Sequence, residues 1–358
     1  MTVRVLHLVA STQRRGAEIF ATRLSRHLTE TGCDSQVLAI AASRTEASLD
    51  LDTLVQGSSL HAGLVSLRRA MRQVDVVVAH GSRTLPYSVL AGVGTRVPII
   101  YKSIGDPWYW ARTRSRRWRT TALLSRVQRV AALSPGAARA IEQCWRVPAS
   151  RIVVTGNGRD PRTFAPATPW QRRQAREALA LDDAAVVVLG LGALSPEKRP
   201  DLAIKVAQQV PEATFLFAGE GPLAGVMASG IDDPERLRLL GGRRNVVELL
   251  HAADILLSTS DSEGLPGAIV EAALCGLASV ATRAGFTADV VVDGVTGVLT
   301  ATGDVEALVA GVRAVMREPR SMGDAARTHA AAAFDERDVF DRWRALVESV
   351  GGAAIRDG

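Results

Sequence analysis

Residues 253–283 read ADILLSTSDSEGLPGAIVEAALCGLASVATR, and their pattern decides the fold. Ile255 to Ser258 is an apolar run of strand length, Thr259 to Leu265 is polar, and Pro266 opens a stretch with helical spacing. Proline suits a first helical turn, where its missing N–H costs nothing. Gly276 ends that helix, and Leu277 to Ala281 reads as the next buried strand. Strand, loop, helix, strand is a βαβ unit, and its ligand site lies at the loop that opens the helix. Free amides and the positive end of the helix dipole favour phosphate there. Glu263 sits in the loop and Glu271 about a turn and a half into the helix. An ionised carboxylate only accepts hydrogen bonds, so it suits the hydroxyls of a ribose or a sugar. Taken singly, each glutamate reads as solvated surface. Gly264, Pro266, Gly267 and Gly276 surround the pair and allow close backbone approach, which tips the reading toward a nucleotide-sugar pocket.

The string EGLPGAIVE, after AADILLSTS and before AALCGLASVAT, resembles the donor-site signature of retaining family-four glycosyltransferases of GT-B fold. The resemblance covers most of the chain and is sharpest in residues 185–300. It implies an α/β fold with two Rossmann-like domains facing across a cleft, donor on the second and acceptor on the first. It implies transfer of a sugar from a UDP- or GDP-sugar to an acceptor hydroxyl, with retention and without a metal. Glu271 would bind the ribose hydroxyls. Glu263 would bind the donor sugar and help hold charge at its anomeric carbon. The turn Gly264, Leu265, Pro266 would line the donor, with the amides of Gly264 and Leu265 contacting phosphate or sugar.

The rest of the chain is ordinary in bulk. Its 358 residues suffice for two domains with separate cores. Apolar content of 47% and charged content of 22% are those of a soluble protein rather than a disordered one. No run of about 18 apolar residues suggests a membrane span. MTVRVLHLVA is too short and too strand-like for a signal peptide. Cys33, Cys144 and Cys275 are scattered, without metal or disulfide spacing, which fits a reducing cytoplasm. A net charge of +6 permits an anionic partner without demanding one.

The first half alternates strand and helix. Val3 to Ala10 is a strand, and Ala17 to Thr29 a helix with Ile19, Phe20, Leu24 and Leu28 on one face. Between them the loop RRGAE (14–18) resembles the family's first glycine-rich loop, which carries two glycines. Here Gly16 is present and Arg15 stands where the other would be. Gln36 to Ala41, Val74 to Ala79, Val97 to Tyr101, Val130 to Leu133 and Ile152 to Thr155 read as further strands, with helices over Leu60 to Met71 and Pro135 to Cys144. His80, at a strand end, reads first as structural. The loop KSIGDPWYW (102–110) holds no histidine where the family places a catalytic-site one. Asp106 is its nearest polar group and is assigned to the acceptor side of catalysis. Asp50-Leu51-Asp52 is the one Asp-x-Asp and reads as incidental in a polar loop.

Residues 107–129 interleave Trp108, Tyr109, Trp110 and Trp118 with seven arginines from Arg112 to Arg129. One reading is an amphipathic helix with its aromatics packed inward. The other is an interfacial segment, with aromatics at headgroup level and arginines attracting anionic lipid. On the second reading the enzyme would sit peripherally at the inner face of a membrane and serve a lipid-linked or membrane-proximal acceptor. No nucleic-acid module surrounds the cluster.

GNGRD (156–160) resembles the family's Asn-Gly-x-Asp turn between the domains. Domain limits follow as 1–160, 161–334, and a C-terminal helix 335–358 that crosses back, its stripe formed by Phe340, Trp343, Leu346 and Val347. Asp160 to Ala184 reads as linker and first helix. Ala185 to Leu191 is a strand, followed by GALSPEKRP (192–200), and Thr214 to Ala218 another, followed by GEGP (219–222). Asn245 to Ala252 reads as a short strand and turn. The resemblance assigns Gly192, Lys198, Gly219 and Val247 to the donor, with Lys198 reaching the diphosphate. Family members often carry an arginine where Ala193 stands, and Arg199 is expected to compensate. Two other functions stay open. A nucleotide-sugar epimerase shares the fold, though no acid–base groups for it can be placed. A non-catalytic nucleotide-sugar-binding subunit is favoured by Ala193 and the missing histidine.

Overall fold

The computed structural model describes residues 2–13, 15–43, 48–55 and 60–356, so Arg14 of the RRGAE loop and the last two residues lie outside it. The chain forms two units, one of residues 1–156 with 337–358, the other of residues 157–336.

The first unit is built on β1 (Arg4–Ser11), β2 (Asp34–Ala41), β3 (Asp52–Val55), β4 (Val76–His80), β5 (Ile99–Lys102), β6 (Arg129–Ala132) and β7 (Ile152–Val154). They form one parallel sheet in the order β3-β2-β1-β4-β5-β6-β7. The order reverses between β1 and β4, the doubly wound topology. β4 is buried along its whole length, because a parallel sheet is covered on both faces. Asp52, expected in a loop, begins the edge strand β3. Phe20, Leu24 and Leu28 of the helix Gly16–Glu30 pack with Phe340, Trp343, Leu346 and Val347 of the helix Glu336–Arg356 in one apolar core. That helical stripe therefore belongs to the core of the first unit.

His80 has a structural place. It is buried at the end of β4, and its Nε2 lies 2.9 Å from Nδ1 of His7 on the neighbouring β1. The indole of Trp343 stacks on its ring. Lys102, also buried, stands with its ammonium 3.4 Å from the centre of the Phe20 ring.

The second unit carries β8 (Val187–Leu191), β9 (Thr214–Ala218), β10 (Leu237–Gly241), β11 (Ile255–Ser258), β12 (Ala278–Thr282) and β13 (Gly297–Thr300). Their order is β10-β9-β8-β11-β12-β13, again all parallel and again reversing at one point, between β8 and β11. The strand expected within Asn245 to Ala252 is instead the helix Val246–Ala252, which buries Leu249, Leu250 and Ala252. Two β-branched residues at its start suggest a strand, but the burial has helical spacing and tertiary packing overrides propensity. The third strand of this half is β10, whose LRLLG alternates too little to announce itself.

Arg176 holds the base of this sheet together. Its buried guanidinium donates to the carbonyls of Ala252, Asp182, Asp183 and Ala185 and to the carboxylate of Asp254 at 2.9 Å. Asp254 also accepts from the amide of Val187 at 2.9 Å and from Arg172 at 2.5 Å, so the starts of β8 and β11 share one carboxylate. Burial, with the neighbouring charge of Arg172, lowers the pKa of Arg176 against the opposing pull of Asp254, and a buried charge is tolerated here because its donors are met.

The histidine pair makes stability depend on pH. Burial drops the His7 pKa to about 3 and holds His80 well below its ordinary value, with His7 and Lys102 adding to the effect. The unfolded chain binds protons at each histidine near pH 6.5, while the folded chain refuses them. Stability is therefore complete above about pH 6.5 and is lost as pH falls toward 3, by up to roughly 1.4 kcal/mol per pH unit for each histidine. Thermal melts of the parent and of His7→Gln/His80→Gln from pH 7.5 to 4.5 check this. The double variant is expected to lose markedly less Tm below pH 6.5. Equal slopes would show that the pair is not the proton-sensitive element.

Candidate active site

The carboxyl ends of β8 and β11 lie side by side where the strand order reverses, because Ile255, Leu256 and Leu257 pair with Val188, Leu189 and Gly190. Ligands in open α/β sheets bind outside such a switch point. Two loops leave the sheet here, 192–199 after β8 and 259–266 after β11, and several bonds tie them together. The hydroxyl of Thr259 donates to the carbonyls of Lys198 at 3.1 Å and Arg199 at 2.9 Å. The amide of Asp261 donates to the carbonyl of Glu197 at 2.8 Å.

Lys198 and Glu263 meet across this seam. The ammonium of Lys198 donates to both carboxylate oxygens of Glu263 at 2.7 Å each, and the hydroxyl of Ser260 donates to Oε1 at 2.7 Å. Glu263 is buried, whereas the Lys198 side chain is about one-third exposed (32%). The ionised carboxylate is thus held by charge-assisted bonds, and its cation keeps an open side. Glu263 is further fixed from behind. Gly285 has a φ of +51°, and a Cβ there would lie 1.8 Å from the Glu263 carbonyl oxygen, so only glycine fits.

Lys198 is aimed by its own loop. Pro196–Lys198 is a short 3-10 turn, Arg199 follows at φ +50°, and Pro200 begins the helix Pro200–Gln208. The guanidinium of Arg199 binds Asp201 through two 2.9 Å bonds and reaches Asp261 at 3.3 Å. The bond to Asp201 raises the Arg199 pKa, and the same bond lowers that of Asp201. Arg199 therefore stands at the seam already engaged by two carboxylates. Gly219 lies against Gly192, where a Cβ would come 1.7 Å from the Gly192 carbonyl oxygen. The two glycine loops are laced by the bonds Gly192 N–H to Ala218 O (3.0 Å) and Leu194 N–H to Glu220 O (2.9 Å).

Glu271 occupies the helix Gly267–Leu274 and is paired too. Nε of Arg159 donates to its Oε1 at 2.6 Å. Sequence reasoning passed over Arg159, whose only signal was its place inside GNGRD. Val247 lies in the first turn of the helix Val246–Ala252.

Gly16 and Asp106 belong to the first unit. Among the described residues a Cβ at Gly16 or at Gly192 would meet no atom within 4 Å, although the φ of +152° at Gly192 by itself favours glycine there. The carboxylate of Asp106 caps the short helix Pro107–Trp110 by accepting from the amide of Trp108 at 2.9 Å. The segment beyond is two helices rather than one, Pro107–Trp110 and Arg114–Leu124. Its tryptophans do not pack inward, because Trp108, Trp110 and Trp118 are 42%, 56% and 73% exposed. Arg117 lies over the Trp108 ring, and Arg112 over Tyr109. Among the described residues no three histidines, cysteines or acids gather to hold a metal ion, and no helix is long and apolar enough to cross a membrane.

With the geometry in place, comparison with known proteins bears on what this seam serves. The family model described as "Glycosyltransferase Family 4" matches residues 14–163, and that described as "Glycosyl transferases group 1" matches 171–332. The D-inositol 3-phosphate glycosyltransferase of Mycobacterium sp. (strain KMS) is 34% identical over 198 residues, which is 51% of this chain and 43% of that protein's length. The chain thus spans less than half of the curated relative it matches. Crystal structures share the fold over nearly the whole chain. HepE of Anabaena, solved in complex with UDP and glucose, superposes with a TM-score of 0.86 at 21% identity, over 97% of this chain and 100% of that one. The sucrose-phosphate synthase of Thermosynechococcus elongatus does so with 0.85 at 16% identity, over 98% and 100%. The two parallel-sheet units are those of the GT-B type.

The seam predicts a measurable coupling. Removing Lys198 strands a buried carboxylate, and removing Glu263 strands its cation. In a double-mutant cycle with Lys198→Met and Glu263→Gln, denaturant unfolding is expected to return a coupling of about 1–3 kcal/mol. Additive losses would mean that the pair contributes nothing to folding as a pair.

Proposed function

The chain belongs to family four of the glycosyltransferases, and from that premise we propose that it moves a sugar from a nucleotide-sugar donor to an acceptor hydroxyl with retention at the anomeric carbon. The observation that carries this reading is the Lys198–Glu263 pair at the switch point of the second sheet. Breaking the bond between sugar and diphosphate develops positive charge on the anomeric carbon and negative charge on the leaving phosphate. A site that helps must place opposite charges against both. Lys198 keeps an exposed side and meets the diphosphate, together with the amides of Gly264 and Leu265. Glu263, bonded by Lys198 and Ser260, faces the sugar and lowers the energy of its cationic state. Glu271 reads the ribose. Lys198 and the amides supply the positive charge that a divalent ion would otherwise bring.

A panel of UDP-, GDP- and dTDP-sugars incubated with candidate acceptors tests the reading. Release of nucleoside diphosphate coupled to glycoside formation is expected, it should persist in EDTA, and NMR of the product should show the donor's anomeric configuration. Tight binding without turnover for every donor and acceptor would favour a non-catalytic binding subunit. An inverted product would remove retention, and loss of turnover in EDTA restored by Mg²⁺ would overturn the role given to Lys198.

The acceptor is proposed to be lipid-linked or membrane-proximal. Three exposed tryptophans beside arginines support this, since aromatics seat at the headgroup level and each basic residue near anionic lipid adds about 1 kcal/mol. In liposome flotation, binding is expected to rise with anionic lipid, fall with salt, and weaken in Arg114→Glu/Arg116→Glu/Arg117→Glu. A chain that ignores anionic vesicles at low salt takes a soluble acceptor.

A further inference from the structure

Arg159 is held at the start of a helix whose dipole disfavours a cation. Its backbone is held on both sides, by its amide to Phe334 O at 2.9 Å and by the Glu336 amide to its own carbonyl at 3.1 Å. Its side chain is mostly buried, and Nη1 folds back onto the carbonyl of Gly158 at 3.0 Å. The guanidinium is therefore preset rather than wandering in solvent. It covers the start of the helix Gly267–Leu274, and a Cβ on Gly267 would lie 2.2 Å from Nη2. Glycine at 267 is what makes room for this arginine. A cation beside a helix N-terminus is repelled by the positive end of the dipole and by the free amides. Here one bond offsets that repulsion, from Nε to Oε1 of Glu271 at 2.6 Å. The carboxylate so occupied is the one assigned to the ribose.

We propose that Arg159 is a donor-specificity residue, paired with Glu271 in the free chain and handed over to the phosphates of a nucleoside diphosphate when Glu271 takes the ribose hydroxyls. This rests on the reading of Glu271 as the ribose contact. Nε holds Oε1, so a bare nucleoside whose hydroxyls take that oxygen leaves the guanidinium without its carboxylate partner at the helix start. A nucleoside diphosphate supplies the replacement anion, at the spot where dipole, amides and arginine all favour one. The arginine thus makes the site discriminate by charge. Its planar fork suits phosphate in a way a lysine does not reproduce.

Calorimetric titration of the whole chain with UDP, GDP and ADP, and with uridine, guanosine and adenosine, tests this for whichever base binds. The parent should prefer the diphosphate strongly. Arg159→Met should weaken the diphosphate tenfold or more while the nucleoside binds equally well or more tightly, because Glu271 is freed. Arg159→Lys should recover part of the loss. Gly267→Ala keeps both charged residues and favours the helix, yet should displace the guanidinium and lower diphosphate affinity without lowering Tm. In Arg159→Met/Gly267→Ala the second substitution should add nothing. Equal losses for diphosphate and nucleoside in Arg159→Met would make the arginine a structural tie and overturn the proposal. So would a diphosphate affinity unchanged in both single variants. A parent that binds none of the three diphosphates would instead overturn the donor reading beneath it.

Discussion

Lys198 and Glu263 can meet only because β8 and β11 are hydrogen-bonded neighbours, although 65 residues of chain separate the two side chains. That adjacency is the constraint on which the site depends. In a doubly wound sheet the strands on either side of the reversal send their following loops in opposite directions, which leaves a crevice at their carboxyl ends. The crevice must then be closed at its base and kept polar at its mouth. Arg176 and Asp254 close the base, binding the starts of both strands through one carboxylate. Thr259, Asp261 and the Lys198–Glu263 pair close the mouth. One ion pair at each end of two short strands, each with one buried member, holds their separation and so the distance between groups carried on the two loops.

The charges at the mouth are balanced one against another. Glu263 has Lys198, Glu271 has Arg159, and Asp201 and Asp261 share Arg199. Partly buried carboxylates without such partners would cost several kcal/mol each in desolvation. A ligand with both anionic and hydroxyl groups can replace either member of a pair without stranding the other. A ligand with only one kind of group cannot. The preference proposed for a phosphorylated polyhydroxy compound would thus be set by how the pairs are arranged as much as by which residues are present.

The sequence made much of this legible, and the limits were physical. The strand Ile255–Ser258 and the loop that follows could be read because an apolar run breaks sharply into polar and glycine residues. Gly267 could be read as permitting close approach, but what approaches includes the side chain of Arg159, 108 positions earlier, and no local pattern reports that. β3, β10 and β13 give no strand signal, and Asn245 to Ala252 reads as a short strand and turn where the chain forms a helix, because short apolar segments carry no periodicity long enough to separate the two states. Arg199 was expected to replace a missing positive charge. The deciding facts were Asp201 and Asp261, which claim its guanidinium, and Asp261 reaches it only through the β8–β11 pairing.

The first unit shows the reverse case, in which residues that look reactive are structural. His80 follows a strand on the side where sites lie, yet it is 2% exposed, bonded to His7, and held by burial as the neutral imidazole rather than the imidazolium at neutral pH. Asp106 stands in the loop where the resemblance would place a histidine, and its carboxylate is engaged in capping a helix. Lys102 lies under the Phe20 ring, away from solvent. The charged side chains this unit presents to solvent around 107–129 are arginines, which neither give nor take protons in this pH range. Acid–base chemistry is weakly provided for by these groups of the first unit, where burial does hold the carboxyl of Glu18 above its ordinary pKa, whereas ion pairs dominate in the second. A reaction whose difficulty lies in separating charge between a sugar and a diphosphate fits that distribution better than one whose difficulty lies in abstracting a proton from carbon, and this is the physical ground for preferring transfer over epimerisation.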